Sequence, residues 1–161
     1  MVRFDARLDV KETYVTHESS QDWIFGEPRG GTPPVLIGSE YWSFFHSSLP
    51  WAGKGKLRHY HMGVYAFEAK PPFRITRMTS RPILSGSHRD VLAEKKPLVV
   101  FPCGAIIKDG EWTVSLGVND LASAWIEIPH EQLLKLVQPV QKWIAPVPVP
   151  VTVPQDEAIF I

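Results

Sequence analysis

The chain has 161 residues, 44% of them apolar and 21% charged, which suits one domain with a real core and leaves no room for two large ones. Lys plus Arg is 17 and Asp plus Glu is 17, so no global positive field would attract nucleic acid or an anionic membrane surface, and neither is expected as a partner. No apolar run reaches the ~18 residues needed to cross a bilayer. Asp5 falls where a signal peptide would be apolar. The single Cys103 excludes an intrachain disulfide, and the cytoplasm is the expected compartment.

Val2, Phe4, Ala6, Leu8 and Val10 alternate with other residues, the period of one half-buried strand. Residues 17–34 are polar and turn-rich around an apolar island, Trp23-Ile24-Phe25. The Gly30-Gly31 and Pro33-Pro34 pairs defeat both regular helix and central strand. Residues 35–37 and 40–46 read as two antiparallel strands joined by Gly38-Ser39. A loop over 48–56 precedes a long strand over 58–69, with His59, His61, Gly63, Tyr65 and Phe67 on one face. Pro71-Pro72 ends it, and 73–79 form another strand. After a polar connection over 85–96, strands are predicted over 98–108, 111–118 and 122–128, with Asp109-Gly110 as the clearest hairpin signal. Residues 130–137 are the one plausible helix. Residues 139–154, punctuated by Pro139, Pro146, Pro148, Pro150 and Pro154, should be extended, and 158–161 either add a strand or fray.

The expected class is therefore all-β, with 1–138 as one domain and 139–161 as a Pro-rich tail. The unit from Thr32 to Phe67 is loosely echoed roughly 65 residues later, a longer spacing than the ~40–45 residues of a compact blade.

The segments Gly30-Gly31-Thr32-Pro33-Pro34, Tyr41-Trp42-Ser43-Phe44-Phe45-His46, Tyr60-His61-Met62-Gly63-Val64-Tyr65-Ala66-Phe67, Arg81-Pro82-Ile83-Leu84 and Val99-Val100-Phe101-Pro102-Cys103-Gly104 occur in a characteristic order. Ahead of Ser115-Leu116-Gly117-Val118-Asn119-Asp120, they resemble the C-terminal blades of the mannoside phosphorylases and hydrolases of glycoside hydrolase family 130. Related propellers fused to bacterial glycosyltransferases look similar. The resemblance spans about Gly30 to Ile128 and implies a five-bladed β-propeller, of which this length supplies about two and a half to three blades. An open fan of blades exposes sheet edges and apolar faces, so self-association, with a dimer favoured, is expected to complete the ring.

The resemblance also implies roles. His46 and Tyr60 correspond to residues that help hold inorganic phosphate, and both side chains can donate to phosphate oxygens. Asp120 corresponds to an Asp lining the sugar site. Two departures stand out: His46-Ser47 where the family has His-Gly, and Gly117-Val118-Asn119-Asp120-Leu121 where it has Gly-Ala-Ala-Asp-Thr. The family's general acid and its main phosphate-binding Arg and Lys belong to earlier blades, so the residues leave catalysis open. The expected function is to bind a glycan, with phosphate as a co-substrate and no other cofactor; the alternative is a non-catalytic glycan-binding, accessory or structural propeller module, or a fragment of a longer glycosyltransferase-associated protein.

Each candidate has a bland reading beside it. His46 and Tyr60 could be packed strand residues, and Asp120 an ordinary turn residue. Arg29 with Gly30-Gly31 could cradle an anion or form a tight strand-entry turn. Trp51, in a Pro- and Gly-containing loop, is the candidate sugar-stacking ring. His59 and His61 share a face, but no spacing supplies a third ligand, so no metal is expected. Cys103, between Pro102 and Gly104 in an apolar strand, is expected to be buried and inert.

Overall fold

The computed structural model describes residues 2–14, 23–51, 57–86 and 98–140. The expectations for 52–56, most of 85–96, the tail beyond Val140 and a strand at 158–161 lie outside the described residues.

The N-terminal alternation does not form one strand. It folds into a hairpin of β1 (Val2–Phe4) and β2 (Val10–Thr13). Asp5 Oδ1 accepts hydrogen bonds from the backbone N–H groups of Arg7 and Asp9 at 2.8 and 3.1 Å, which closes a turn that alternation cannot reveal. Leu8, at φ 65°, takes the left-handed conformation there. Val2, Phe4, Leu8 and Val10 are all exposed.

The main sheet follows the predicted meander. β3 (Val35–Ile37), β4 (Glu40–Pro50), β5 (Arg58–Glu68) and β6 (Ile75–Thr79) pair antiparallel in sequence order. β7 (Leu84–Ser85) pairs with the far half of β5. β4 runs on to Pro50, beyond the predicted 40–46. Upstream of β3, the stretch around Arg29 also lies along β4: Arg29 and His46 exchange both backbone hydrogen bonds, and Thr32 N–H donates to the Phe44 carbonyl.

The second sheet contains β8 (Val100–Lys108), β9 (Glu111–Val118) and β10 (Ala122–Pro129), again antiparallel. Asp109 and Gly110 have φ of 50° and 81°, the two left-handed positions of the predicted hairpin turn. The helix α1 (His130–Leu136) then carries the chain back to the first sheet, where β11 (Val137–Pro139) pairs with β6. That return was not visible in the sequence.

The two sheets stack through their alternate residues. Trp42, Phe44, Met62, Val64 and Ala66 meet Val100, Trp112, Val114 and Leu116 in one apolar cluster. Phe44 and Trp112 are fully buried and pack edge to face, with ring centroids 5.3 Å apart at 83°. Burying a side chain of this size contributes on the order of 2–3 kcal/mol, and the ring pair about 1 kcal/mol more. The fully buried Leu133 pins α1 to this cluster. His130 closes it, accepting a 3.1 Å hydrogen bond at Nδ1 from Trp112 Nε1. Desolvation, with the Arg77 charge adding to it, holds the His130 pKa below its usual value, in keeping with an unprotonated Nδ1.

Candidate functional site

β4 and β5 alternate strictly, so residues 42, 44, 46 and 48 face the second sheet, as do 60, 62, 64 and 66. His46 pairs with Met62 and Ser48 with Tyr60, which sets His46 and Tyr60 diagonally opposed on that face. Their rings stack with centroids 6.0 Å apart at 16°. Phe101 of β8 leans on the other side of His46, 4.3 Å between centroids. His46 and Tyr60, to which the resemblance gives a phosphate-holding role, are therefore brought together at one end of the seam between the sheets.

His46 is 9% exposed, and among the described residues its Nδ1 is a buried polar atom with no hydrogen-bond partner. Desolvation lowers its pKa. Hydrogen bonding of the imidazole toward the Gly30 backbone, too loose to count as a partner of Nδ1 by ordinary geometry, pulls the other way, and the Arg29 charge adds to the lowering. A second cation stands on the same stretch of β4. Arg58 Nε donates to Ser48 Oγ and its Nη2 to the Ser48 carbonyl, both at 2.7 Å. Sequence reasoning missed Arg58 and Phe101. A lone strand Arg carries no motif, and Phe101 meets His46 only across two sheets.

Of the Gly-Gly pair only Gly31 is required by the packing, since a Cβ at Gly30 would meet nothing within 4 Å. A Cβ at Gly31 would come 2.4 Å from the Phe44 carbonyl oxygen and 2.8 Å from Pro102. Only glycine lets the segment lie against β4 with β8 pressed on it. Ser47, the residue that departs from the family pattern, is fully buried on the opposite face. Its Oγ accepts from Trp23 Nε1 at 3.0 Å and donates to the Phe25 carbonyl at 2.7 Å, so the hydroxyl anchors the apolar island of 23–25.

The other candidates are distributed as follows. Asp120 sits exposed in the turn after β9 at φ 54°. Its neighbour Asn119 is buried, and Asn119 Oδ1 accepts from Val99 N–H at 3.0 Å. Leu98, one residue before, pairs its backbone with Arg58 and Tyr60, so Asp120 belongs to the same end of the seam as Tyr60. Trp51 is half-buried just past β4, its N–H donating to the Leu57 carbonyl at 2.9 Å. His59 and His61 do share a face, with ring centroids 4.4 Å apart. Their hydrogen bonds go to the Gly86 carbonyl and Ser85 Oγ, each at 2.9 Å.

Cys103 corrects the sequence reading. It is exposed, because a β-bulge between Pro102 and Gly104 breaks the alternation and turns the thiol outward.

Residues 27–139 match the family of beta-1,4-mannooligosaccharide phosphorylase, glycoside hydrolase family 130. The chain belongs to that family. Among solved structures, the chain is similar to the beta-1,2-mannobiose phosphorylase from Listeria innocua, determined in complex with beta-1,2-mannobiose. The TM-score is 0.56 at 19% identity, over 80% of this chain and 38% of that one. The stacked antiparallel sheets are thus part of a family 130 β-propeller, and this chain spans well under half the length of that relative. A comparison with curated protein sequences found no match. Among the described residues, no helix is long and apolar enough to cross a membrane.

Proposed function

We propose that this family 130 chain binds an oxyanion, inorganic phosphate in the first place, beside a mannoside at the seam between its two sheets. His46 and Tyr60 act as hydrogen-bond donors, and Arg29 and Arg58 supply positive charge. The observation that supports the reading is the buried Nδ1 of His46, which has no hydrogen-bond partner among the described residues. A buried polar atom without a partner costs about 1–3 kcal/mol, which a ligand atom bonded there would recover. The charged oxygens of phosphate accept hydrogen bonds, while the P–OH that it keeps near neutral pH can donate one. A neutral imidazole offers one N–H and a phenol one O–H. An arriving anion would also draw a proton onto His46, against the desolvation that now keeps it neutral.

In a phosphorolytic reading, a phosphate oxygen bonds to the anomeric carbon as the glycosidic C–O bond breaks, with inversion, and the leaving oxygen takes a proton. The resemblance gives the delivery of that proton to the family's general acid, which belongs to earlier blades. Asp120 and Trp51 are the residues proposed to meet the sugar, because both lie at the end of the strands that carries Tyr60. A second reading, a non-catalytic glycan-binding module in a larger or self-assembled propeller, is favoured by one feature of the seam. Neither His46 nor Tyr60 has a carboxylate hydrogen-bonded to it among the described residues. We further propose that the chain works as a cytoplasmic homodimer.

Calorimetric titration of inorganic phosphate tests the site. His46→Ala and Tyr60→Phe should each weaken phosphate binding about tenfold, the equivalent of one hydrogen bond of ~1.4 kcal/mol. Equal affinity in all three proteins would remove the proposal. Phosphate-dependent release of a sugar phosphate from mannosides, abolished in His46→Ala, separates the enzyme from the binding module.

A further inference from the structure

The face of the main sheet that points away from the seam carries an unusual run of rings. Phe45, Tyr65, Phe67 and Tyr41 follow one another along β4 and β5, with successive centroids 5.7, 5.8 and 5.4 Å apart. Two cavities open over this ladder. One, of about 320 Å³, lies between Tyr65, Phe67 and the Gly30–Thr32 backbone. The other, of about 590 Å³, lies between Tyr41 and the β1–β2 hairpin, where Arg3, Glu12 and Tyr14 line it. Both volumes fall within the ~300–1,000 Å³ of small-ligand sites. The cavities share two walls, Pro34 and Phe73. Phe73 holds φ 61°, a conformation rare for an aromatic residue, and packs edge-on to Tyr14 with centroids 5.2 Å apart.

We propose that these joined cavities form a second glycan site, separate from the His46 and Tyr60 seam, that takes an oligosaccharide of at least two pyranose rings. Its chemistry is two-sided. The C–H face of a pyranose carries slight positive charge and is attracted to the negative face of an aromatic ring. The partly exposed Tyr41 and Tyr65 each offer that platform in one of the two cavities, with Phe67 buried between them. The hydroxyl edge of the sugar needs donors and acceptors. Arg3 Nη1 and Tyr14 Oη both donate to Glu12 Oε2, at 3.2 and 3.3 Å, which forms a polar cluster on the hairpin side. The cluster keeps much of its exposure, at 69% for the Arg3 side chain and 43% for Glu12, so it can exchange water for hydroxyls.

A neighbouring propeller blade is the other conceivable occupant of an aromatic sheet face. The geometry disfavours it. The β1–β2 hairpin stands over one end of the face, while Trp23, Phe25 and Val140 already pack on the other. What remains between them is a largely apolar trough with a polar wall at the hairpin, not a flat sheet face.

The test is NMR titration of the full chain with β-1,4-mannotriose, with and without phosphate. We expect Glu12→Gln and Tyr41→Ala to weaken mannotriose binding at least fivefold and to leave phosphate binding at His46 unchanged. His46→Ala should show the opposite pattern. Glu12 is at the exposed rim, so that variant stays readable if Tyr41→Ala misfolds. Mannotriose affinity unchanged in Glu12→Gln, or lost only in His46→Ala, would overturn the second site. So would a chain that dimerises through this face, seen as a halved mass in Tyr41→Ala. Failure of phosphate to bind would strike only the seam.

Discussion

Folding takes three histidines out of water. His46, His61 and His130 all have lowered pKa values, and burial is the first cause in each. His61 falls furthest, to about 4, with the neighbouring His59 charge adding to desolvation. The unfolded chain, with an ordinary value near 6.5, therefore binds this proton more tightly than the folded chain. Its contribution is whole above pH ~6.5 and is lost as pH falls toward 4. Urea unfolding at pH 7.5 and pH 4 should show the native protein losing stability on acidification. His61→Gln should lose about 2 kcal/mol less over the same interval. A parallel loss in both proteins would mean that His61 is not the group responsible.

Among the elements, the long β4–β5 pair governs the geometry, since it sets His46 against Tyr60 on one face and the aromatic ladder on the other. Gly63, at its centre, lies directly opposite Phe45. A Cβ there would come 2.5 Å from the Phe45 ring and 2.7 Å from Thr79 Oγ1. Gly63→Ala should accordingly destabilise the fold by about 1–3 kcal/mol through overpacking, measured as a lower urea midpoint at constant slope. A midpoint equal to that of the native protein would mean that the ring moves aside freely. At this scale the hairpins declared themselves, because Gly38-Ser39 and Asp109-Gly110 are local signals. The bulge at Cys103 and the turn at Asp5 did not. Each depends on one residue stepping out of an otherwise regular alternation.

For the whole molecule, the second sheet is ordered β10–β9–β8, so among the described residues β10 is paired on one side only. Its Trp125 is 70% exposed, and Ile106 on the same sheet is 66% exposed. A sheet edge and apolar side chains left open in this way favour association. This outer face, rather than the aromatic trough, is where the proposed dimer should form. Light scattering at micromolar concentration should give twice the 18.2 kDa chain mass for the native protein and a single-chain mass for Trp125→Lys. A native mass of one chain would end the dimer proposal.

The sequence by itself determined the strand count of the meander, the faces of β5, the hairpin at Asp109-Gly110 and the family to which the chain belongs. Period-two alternation and turn chemistry are written in neighbouring residues and need no distant partner. Only the tertiary structure decided that Phe101 caps His46, that Arg58 joins the seam, that Ser47 anchors Trp23 and that β11 returns to β6. Each of these unites residues far apart in the chain, and a contact of that kind exists only once the sheets have stacked.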